Sequence, residues 1–284
     1  MRAVDEVFAP YQRRQAEQLS ALTDRLGAVA ADLARTRAEL ADLRAALRDE
    51  LVPRLRAELD GVGDRVIGRV SEFENRARRD TVFASDMTAA QGSAEFIRRH
   101  MVSARRFDHP HATLEHALSL APTGGMALEF GVFTGSTLTI IAKARGAERV
   151  YGFDSFQGLP EDWRAGFPAG TFDVAAPPSV PGAELVVGLF EDSLPGFLAE
   201  HAGPVDFLHI DADLYSAAHT VLSLVGPRLQ AGSVIVFDEF LNYPGWPDHE
   251  CRAWQEYVAE TGVRFRYEAY TYDNEQVALR VIAP

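Results

Sequence analysis

Between residues 19 and 47 the apolar positions advance in alternating steps of three and four. They are Leu19, Leu22, Leu26, Val29, Leu33, Leu40, Leu43 and Leu47, with Thr36 in the one weak slot. Such a seam, flanked by Arg, Asp and Glu, predicts a coiled-coil helix. At Leu51 and Leu55 the step becomes four and four, a stutter that locally unwinds a supercoil. Pro53 predicts a kink or a fresh helix start at that point. Val62, Val66, Val70 and Phe73 resume the seam, weakened by Gly61, Gly63 and Gly68. Sustained heptads usually pair, so homo-oligomerisation or partner docking is expected. A long helix folded back on its own domain is the alternative.

Past residue 80 the pattern changes. An amphipathic helix is expected from Ala94 to Arg106 and a short one from His111 to Leu120, closed by the turn Pro122-Thr123-Gly124-Gly125. Apolar runs of strand length follow, separated by helical stretches: Met126–Phe130, Arg149–Phe153, Glu184–Val187, Val205–Ile210 and Ser233–Phe237. That alternation predicts an α/β fold, an open parallel sheet with helices on both faces. Arg264–Tyr272 and Gln276–Ile282 are joined by Asp273-Asn274-Glu275 and predict a closing antiparallel hairpin. The expected division is a helical segment over 1–80 and one α/β domain over 81–284.

Composition narrows the function. The chain of 284 residues carries a formal net charge of −13, with the acidic excess beyond residue 80. This argues against a nucleic-acid partner, which needs a basic face, and suits a cationic ligand. Cys251 is the only cysteine, so neither an intrachain disulfide nor a cysteine-based zinc site is expected. No apolar run approaches the roughly 18 residues of a membrane span. The N-terminus has no apolar signal-peptide core, so the expected location is cytoplasmic.

The candidate chemistry sits at the carboxyl ends of the strands, where ligands bind in open α/β sheets. The first strand runs into Glu129-Phe130-Gly131-Val132-Phe133-Thr134-Gly135-Ser136. Gly131 and Gly135 let the backbone approach a ligand, and the helix starting near Ser136 aims its N-terminus at it. The Gly-x-x-x-Gly spacing disfavours the pyrophosphate cradle of a dinucleotide fold. Glu129 is placed to accept a hydrogen bond from an ammonium group or to order a water. Asp154 ends the second strand, beside Ser155, about 20 residues from the glycines, the spacing for a carboxylate that binds ribose hydroxyls. After the third strand, Asp192 would reach an adenine amino group with Phe190 against the ring. The plainer reading makes Asp192 or Ser193 the cap of a helix starting near Pro195.

The fourth strand ends in Asp211-Ala212-Asp213 and the fifth in Asp238-Glu239. Four carboxylates in one cleft repel one another unless a cation lies between them. Oxygen ligands favour Mg²⁺, Mn²⁺ or Ca²⁺. In an extended Asp-Ala-Asp both carboxylates share a side, so one can hold metal while the other faces an acceptor.

The segments EFGVFTGST (129–137), GFDSFQGLPEDW (152–163), FEDSLP (190–195), HIDADLYS (209–216) and GSVIVFDEF (232–240) resemble, in order, the metal-dependent O-methyltransferases typified by macrocin O-methyltransferase. The resemblance covers about 126–282. It implies a Rossmann-like seven-stranded sheet, S-adenosylmethionine as donor, Mg²⁺, and a hydroxyl of a sugar, glycan or other small molecule as acceptor. It makes Asp211, Asp238 and Glu239 metal ligands, Asp213 the general base and Asp154 the ribose ligand. Asp211 is also expected beside the cofactor. The chain departs in having Glu239 where Asp is usual, and His209 where an Arg often stands.

Two rivals use the same residues. A metal-dependent glycosyltransferase would use Asp211-Ala212-Asp213, but leaves the glycine turn and Asp154 without roles. A non-catalytic scaffold would make the coiled coil the function, and leaves the acidic cluster without one. A nicotinamide dehydrogenase is disfavoured by the glycine spacing. The segment from Asn242 to Glu250 is expected as an acceptor-side loop or lid, with His249 a surface histidine or a second base. Tyr215, Tyr243 and Trp246 either stack on an acceptor or pack internally. The Gly- and Pro-rich loop from Gln157 to Pro181 is expected to cover the cofactor or acceptor.

Overall fold

A computed structural model describes the backbone of residues 2–284 and the side chains of residues 10–284. The chain divides into two units, Met1–Arg79 and Asp80–Pro284.

The first unit is helical: α1 (Arg2–Ala46), a π-helical turn (Leu47–Leu51) and α2 (Val52–Arg79). The stutter falls on that turn. On a straight α-helix each four-residue step rotates the apolar stripe by about 40°. A π turn takes up an extra residue and offsets that drift. Pro53 cannot donate to the carbonyl of Asp49, and its ring crowds that carbonyl, which the wider turn also relieves. The proline is thus answered by a π turn rather than by a break in the chain's helical course.

The second unit opens with α3 (Thr81–His100). The Asp80 carboxylate accepts N–H bonds from Val82 and Phe83, at 3.0 and 3.1 Å, a cap worth about 1 kcal/mol. The helix expected over 94–106 therefore starts thirteen residues earlier and stops before Met101. There follow β1 (Arg105–Phe107), α4 (Pro110–Leu120), β2 (Met126–Phe130), α5 (Ser136–Arg145), β3 (Val150–Asp154), β4 (Glu184–Val187), α6 (Phe190–Glu200), β5 (Val205–Ile210), α7 (Tyr215–Val225), β6 (Leu229–Phe237), α8 (Glu250–Thr261), β7 (Arg264–Thr271) and β8 (Val277–Ala283).

The strands form one sheet in the order β1-β7-β8-β6-β5-β2-β3-β4. It has eight strands where seven were expected. The addition is β1, three residues paired parallel to β7. With the sequence Arg-Arg-Phe it has no apolar alternation to announce it. The C-terminal hairpin is antiparallel as expected, and β8 is inserted between β7 and β6.

Burial follows the pleat. Met126, Leu128, Phe130, Leu208, Ile210, Ile235 and Phe237 join the core under α6, α7 and α8. Ala127, Phe207, Val234 and Val236 join a second core with Leu114, Leu118, Leu138 and Ile141 from α4 and α5. Burying each large side chain contributes about 1.5–3 kcal/mol, and both faces must be covered, which is why these strands read as continuous apolar runs. The adjoining positions Glu129 and His209 are direct neighbours across β2 and β5.

Candidate active site

The carboxyl ends of β2, β3, β5 and β6 open on a cavity of about 560 Å³. Its wall includes Gly131, Phe133, Asp154, Ser155, Phe190, Asp211, Asp213, Asp238 and Glu239. Glu129, Gly135, Ser136 and Asp192 are outside that wall.

The glycine turn is shaped by close backbone contact. Gly131 has φ +92°, and a Cβ there would fall 1.8 Å from the carbonyl oxygen of Asp211. The turn is held by Asp154, whose Oδ2 accepts the N–H groups of Val132 and Phe133, each at 2.9 Å, while Oδ1 accepts that of Phe156 at 2.7 Å. Asp154 thus anchors the loop from the cavity wall. Phe133, at φ +48°, is exposed and meets Phe172 edge-on at 5.6 Å between ring centroids.

Helix α6 begins at Phe190, with Leu189 as an N-cap that makes no side-chain bond. The start expected near Pro195, and the capping role for Asp192 or Ser193, are therefore corrected. Phe190 and Glu191 face the cavity in this first turn.

Glu129 is fully buried and its Oε1 lies 2.9 Å from Nδ1 of His209. His209 is a partner the sequence did not announce, and the other oxygen of Glu129, Oε2, is buried with no hydrogen-bond partner. Nε2 of His209 lies 3.5 Å from Oδ1 of Asp238, long for a hydrogen bond. Burial opposes charge on His209, but Asp238 and Glu129 outweigh it and hold the imidazole well above the ordinary histidine range. Burial also opposes ionisation of Asp238, yet His209, Gln276 and Glu239 keep its carboxyl below the usual range. Gln276 supplies an Nε2–H bond to Asp238 at 3.0 Å.

The other acids are pushed the opposite way. Burial first, then the charge of Asp238, raises Asp211 well above the usual carboxylate range. Burial and the charges of Asp211 and Asp238 do the same to Glu239. Burial pushes Asp213 up to about 7, with Arg164 opposing and Asp238, Glu275 and Asp154 adding to the rise. Asp213 also has φ +59°, a left-handed conformation for a non-glycine residue, of the kind that clusters at functional sites.

These residues fit a divalent cation. One ligand atom each from His209, Asp211 and Asp238 lie within 4.8 Å of one another. Glu239, on the same wall, has a buried Oε2 with no hydrogen-bond partner. Repulsion among buried carboxylates is what a cation relieves.

Several contributors had no sequence signal. Glu250, in the first turn of α8, is fully buried. Its carboxylate accepts the N–H of Ala212 at 3.4 Å and of Glu239 at 3.0 Å, so one side chain ties the ends of β5 and β6. Arg164 pairs with Glu275 at 3.0 Å and lies over the rings of Trp163 and Tyr243, 3.9 and 4.6 Å from their centroids. The loop 157–181 does wall the cavity, through Gly158, Leu159, Pro160, Trp163, Arg164, Phe167 and Phe172. The Asn242–Glu250 segment lies outside the cavity wall: Tyr243 and Trp246 are buried in the core, while Pro244, Gly245, Pro247 and Asp248 are exposed. His249 precedes α8 and is outside the cavity wall, while Tyr215 donates to Glu256 at 2.5 Å.

Residues 128–240 match a family model described as a methyltransferase domain. The match takes in the glycine turn, Asp154 and both strand-end acid pairs. No curated protein matches the chain. Among solved structures, CalS11, a calicheamicin methyltransferase, is 24% identical over 74% of this chain and 92% of its own, with a TM-score of 0.50. The O-methyltransferase NovP is 20% identical, covering 60% of this chain and 78% of its own, with a TM-score of 0.47. TomG, an O-methyltransferase from Streptomyces achromogenes, is 16% identical, over 69% and 90%, with a TM-score of 0.39. The likeness to CalS11 speaks for the fold, and residues 128–240 are similar to a methyltransferase domain. No helix among the described residues is long and apolar enough to cross a membrane.

Proposed function

We propose that the chain is an S-adenosylmethionine-dependent O-methyltransferase acting on a hydroxyl of a sugar or related small molecule, with a divalent metal assisting. One observation carries the reading: a nucleoside-type wall (Gly131, Phe133, Asp154, Phe190) and an acidic wall (Asp211, Asp213, Asp238, Glu239) share one cavity. The methyltransferase-domain match supports the donor. The resemblance to the macrocin O-methyltransferase family supports the sugar acceptor.

S-adenosylmethionine brings a methyl group on a sulfonium, and needs only a nucleophile aligned behind the sulfur–methyl bond. A neutral alcohol is a poor nucleophile, so the chain must take its proton. Asp213 serves as general base: it lies on the acidic wall of the cavity in a left-handed conformation, and the family resemblance gives it that role. The acceptor hydroxyl gives its proton to that carboxylate, and its oxygen forms the new bond to carbon as the sulfur–methyl bond breaks. Asp211 and Asp238, with Glu239 beside them, would hold an ion that lowers the pKa of the hydroxyl. Arg164, at 3.0 Å from Glu275, fixes the loop that closes the acceptor side.

The test is transfer of labelled methyl from S-adenosylmethionine to a panel of sugar and phenolic hydroxyls. Asp213→Asn should lower turnover by about 10²-fold or more while leaving cofactor binding intact. Nucleotide-sugar consumption without methyl transfer would favour the glycosyltransferase reading instead.

The N-terminal helix is proposed to pair in parallel with a second copy. Leu19, Leu22, Leu26, Val29, Leu33, Leu40, Leu43 and Leu47 are all exposed, none below 45%. In a parallel, in-register pair Asp32 faces Arg37 of the second copy and Glu39 faces Arg44, both attractive.

A further inference from the structure

The cation site suggested by the sequence is built of oxygen alone, and the structure changes its chemistry. His209 stands on β5 two residues before Asp211, directly across from Glu129 on β2. Its imidazole is 1% exposed. Glu129 takes one nitrogen, Nδ1, at 2.9 Å, which leaves Nε2 directed at the acids. The distance from Nε2 to Oδ1 of Asp238 is 3.5 Å, too long for a good hydrogen bond and short enough for two atoms that share an ion. His209, Asp211 and Asp238 together offer three donor atoms within 4.8 Å. The unpartnered, buried Oε2 of Glu239 is a second sign of a missing ligand on the same wall. A carboxylate bonded to the far nitrogen of an imidazole is the usual support of a metal-binding histidine, because it fixes the tautomer and ring orientation.

We propose that His209 is itself a ligand, so that the ion is held by Nε2 of His209 with carboxylate oxygens of Asp211 and Asp238. Glu129 acts through His209 as a positioning residue. A mixed nitrogen and oxygen donor set favours a first-row transition ion such as Mn²⁺ over Mg²⁺, which prefers oxygen and dehydrates reluctantly. The inference rests on the methyltransferase reading only for the ion's purpose; the coordination stands on these residues alone.

The experiment is pulsed electron paramagnetic resonance on the full-length, chelator-treated protein loaded with Mn²⁺, together with calorimetric titrations of Mn²⁺ and of Mg²⁺. The expected spectrum shows ¹⁴N modulation from a coordinated imidazole. It should be lost in His209→Asn and kept in His111→Asn, the histidine on the cavity wall. Mn²⁺ should bind at least about 10-fold tighter than Mg²⁺. Glu129→Gln should keep the modulation while weakening Mn²⁺ by about 10- to 100-fold, and decides the matter if His209→Asn fails to fold. Absence of Mn²⁺ binding, binding without ¹⁴N modulation, or tighter binding of Mg²⁺ would each overturn the assignment. Titration of S-adenosylhomocysteine into the same sample separates the two ideas: its failure sinks the methyltransferase reading, whereas the spectrum alone decides the ligand.

Discussion

Gly131 shows how one residue sets the geometry of the cavity. Its φ of +92° already disfavours a side chain, and an added Cβ would strike the backbone carbonyl of Asp211. Neither partner is a flexible tip that can swing aside. Gly131→Ala is expected to cost about 3 kcal/mol or more, read as a fall in the urea midpoint, and an unchanged midpoint would show that the loop adapts. Cys251 offers an independent probe. It is fully buried, and burial pushes its thiol up to about 12. At pH 8 the thiol is therefore neutral and enclosed, and a thiol reagent should react only at the rate of unfolding. Rapid labelling of the native chain would mean that α8 opens readily. Residues such as Gly131, Asp154, Asp211 and Asp238 were legible in the sequence because each follows a strong apolar run, and strand ends are where ligands bind. His209 was visible only as a departure from its relatives. Its partnership with Glu129 needs the register of β2 against β5, which no local pattern states.

Among the elements, α8 matters more than its place in the sequence suggested. The segment before it read as a lid because it is rich in Pro, Gly and polar residues, but Tyr243 and Trp246 turn inward and draw it into the core. Glu250 then clamps the ends of β5 and β6 through two backbone N–H groups. Glu250→Gln keeps one acceptor oxygen and loses the other, leaving one buried N–H unsatisfied. The expected loss is about 1–3 kcal/mol in chemical unfolding; a neutral result would mean that relief of acid–acid repulsion compensates. The short strand β1 and the early start of α3 escaped the sequence for opposite reasons. The strand is too brief to show a period, and the helix has a capping aspartate ahead of an exposed, weakly patterned first half. In the N-terminal helix, the pairing of Asp32 with Arg37 and of Glu39 with Arg44 gives a direct test. Glu39→Arg should weaken self-association in sedimentation equilibrium, and adding Arg44→Glu should restore it. A wild-type chain that sediments as a monomer would dismiss the pairing.

At the scale of the whole molecule, every residue of the cavity wall belongs to the unit Asp80–Pro284. A chain beginning at Asp80 keeps the cap of α3 and should retain cofactor affinity while losing self-association. The class of fold was legible because period-two and buried apolar runs alternate with helical stretches through the second unit. The sheet's full width was not, because β1 is defined only by its pairing with the distant β7; the loop 157–181 was expected at the cavity, but its anchoring there by Arg164 with Glu275 was not legible. The central claim is that nucleoside and acid walls form a single cofactor site. Calorimetric titration of S-adenosylhomocysteine into the full-length protein addresses it most directly. One equivalent bound per chain is the predicted result; heats no larger than dilution, with the protein folded, would contradict it.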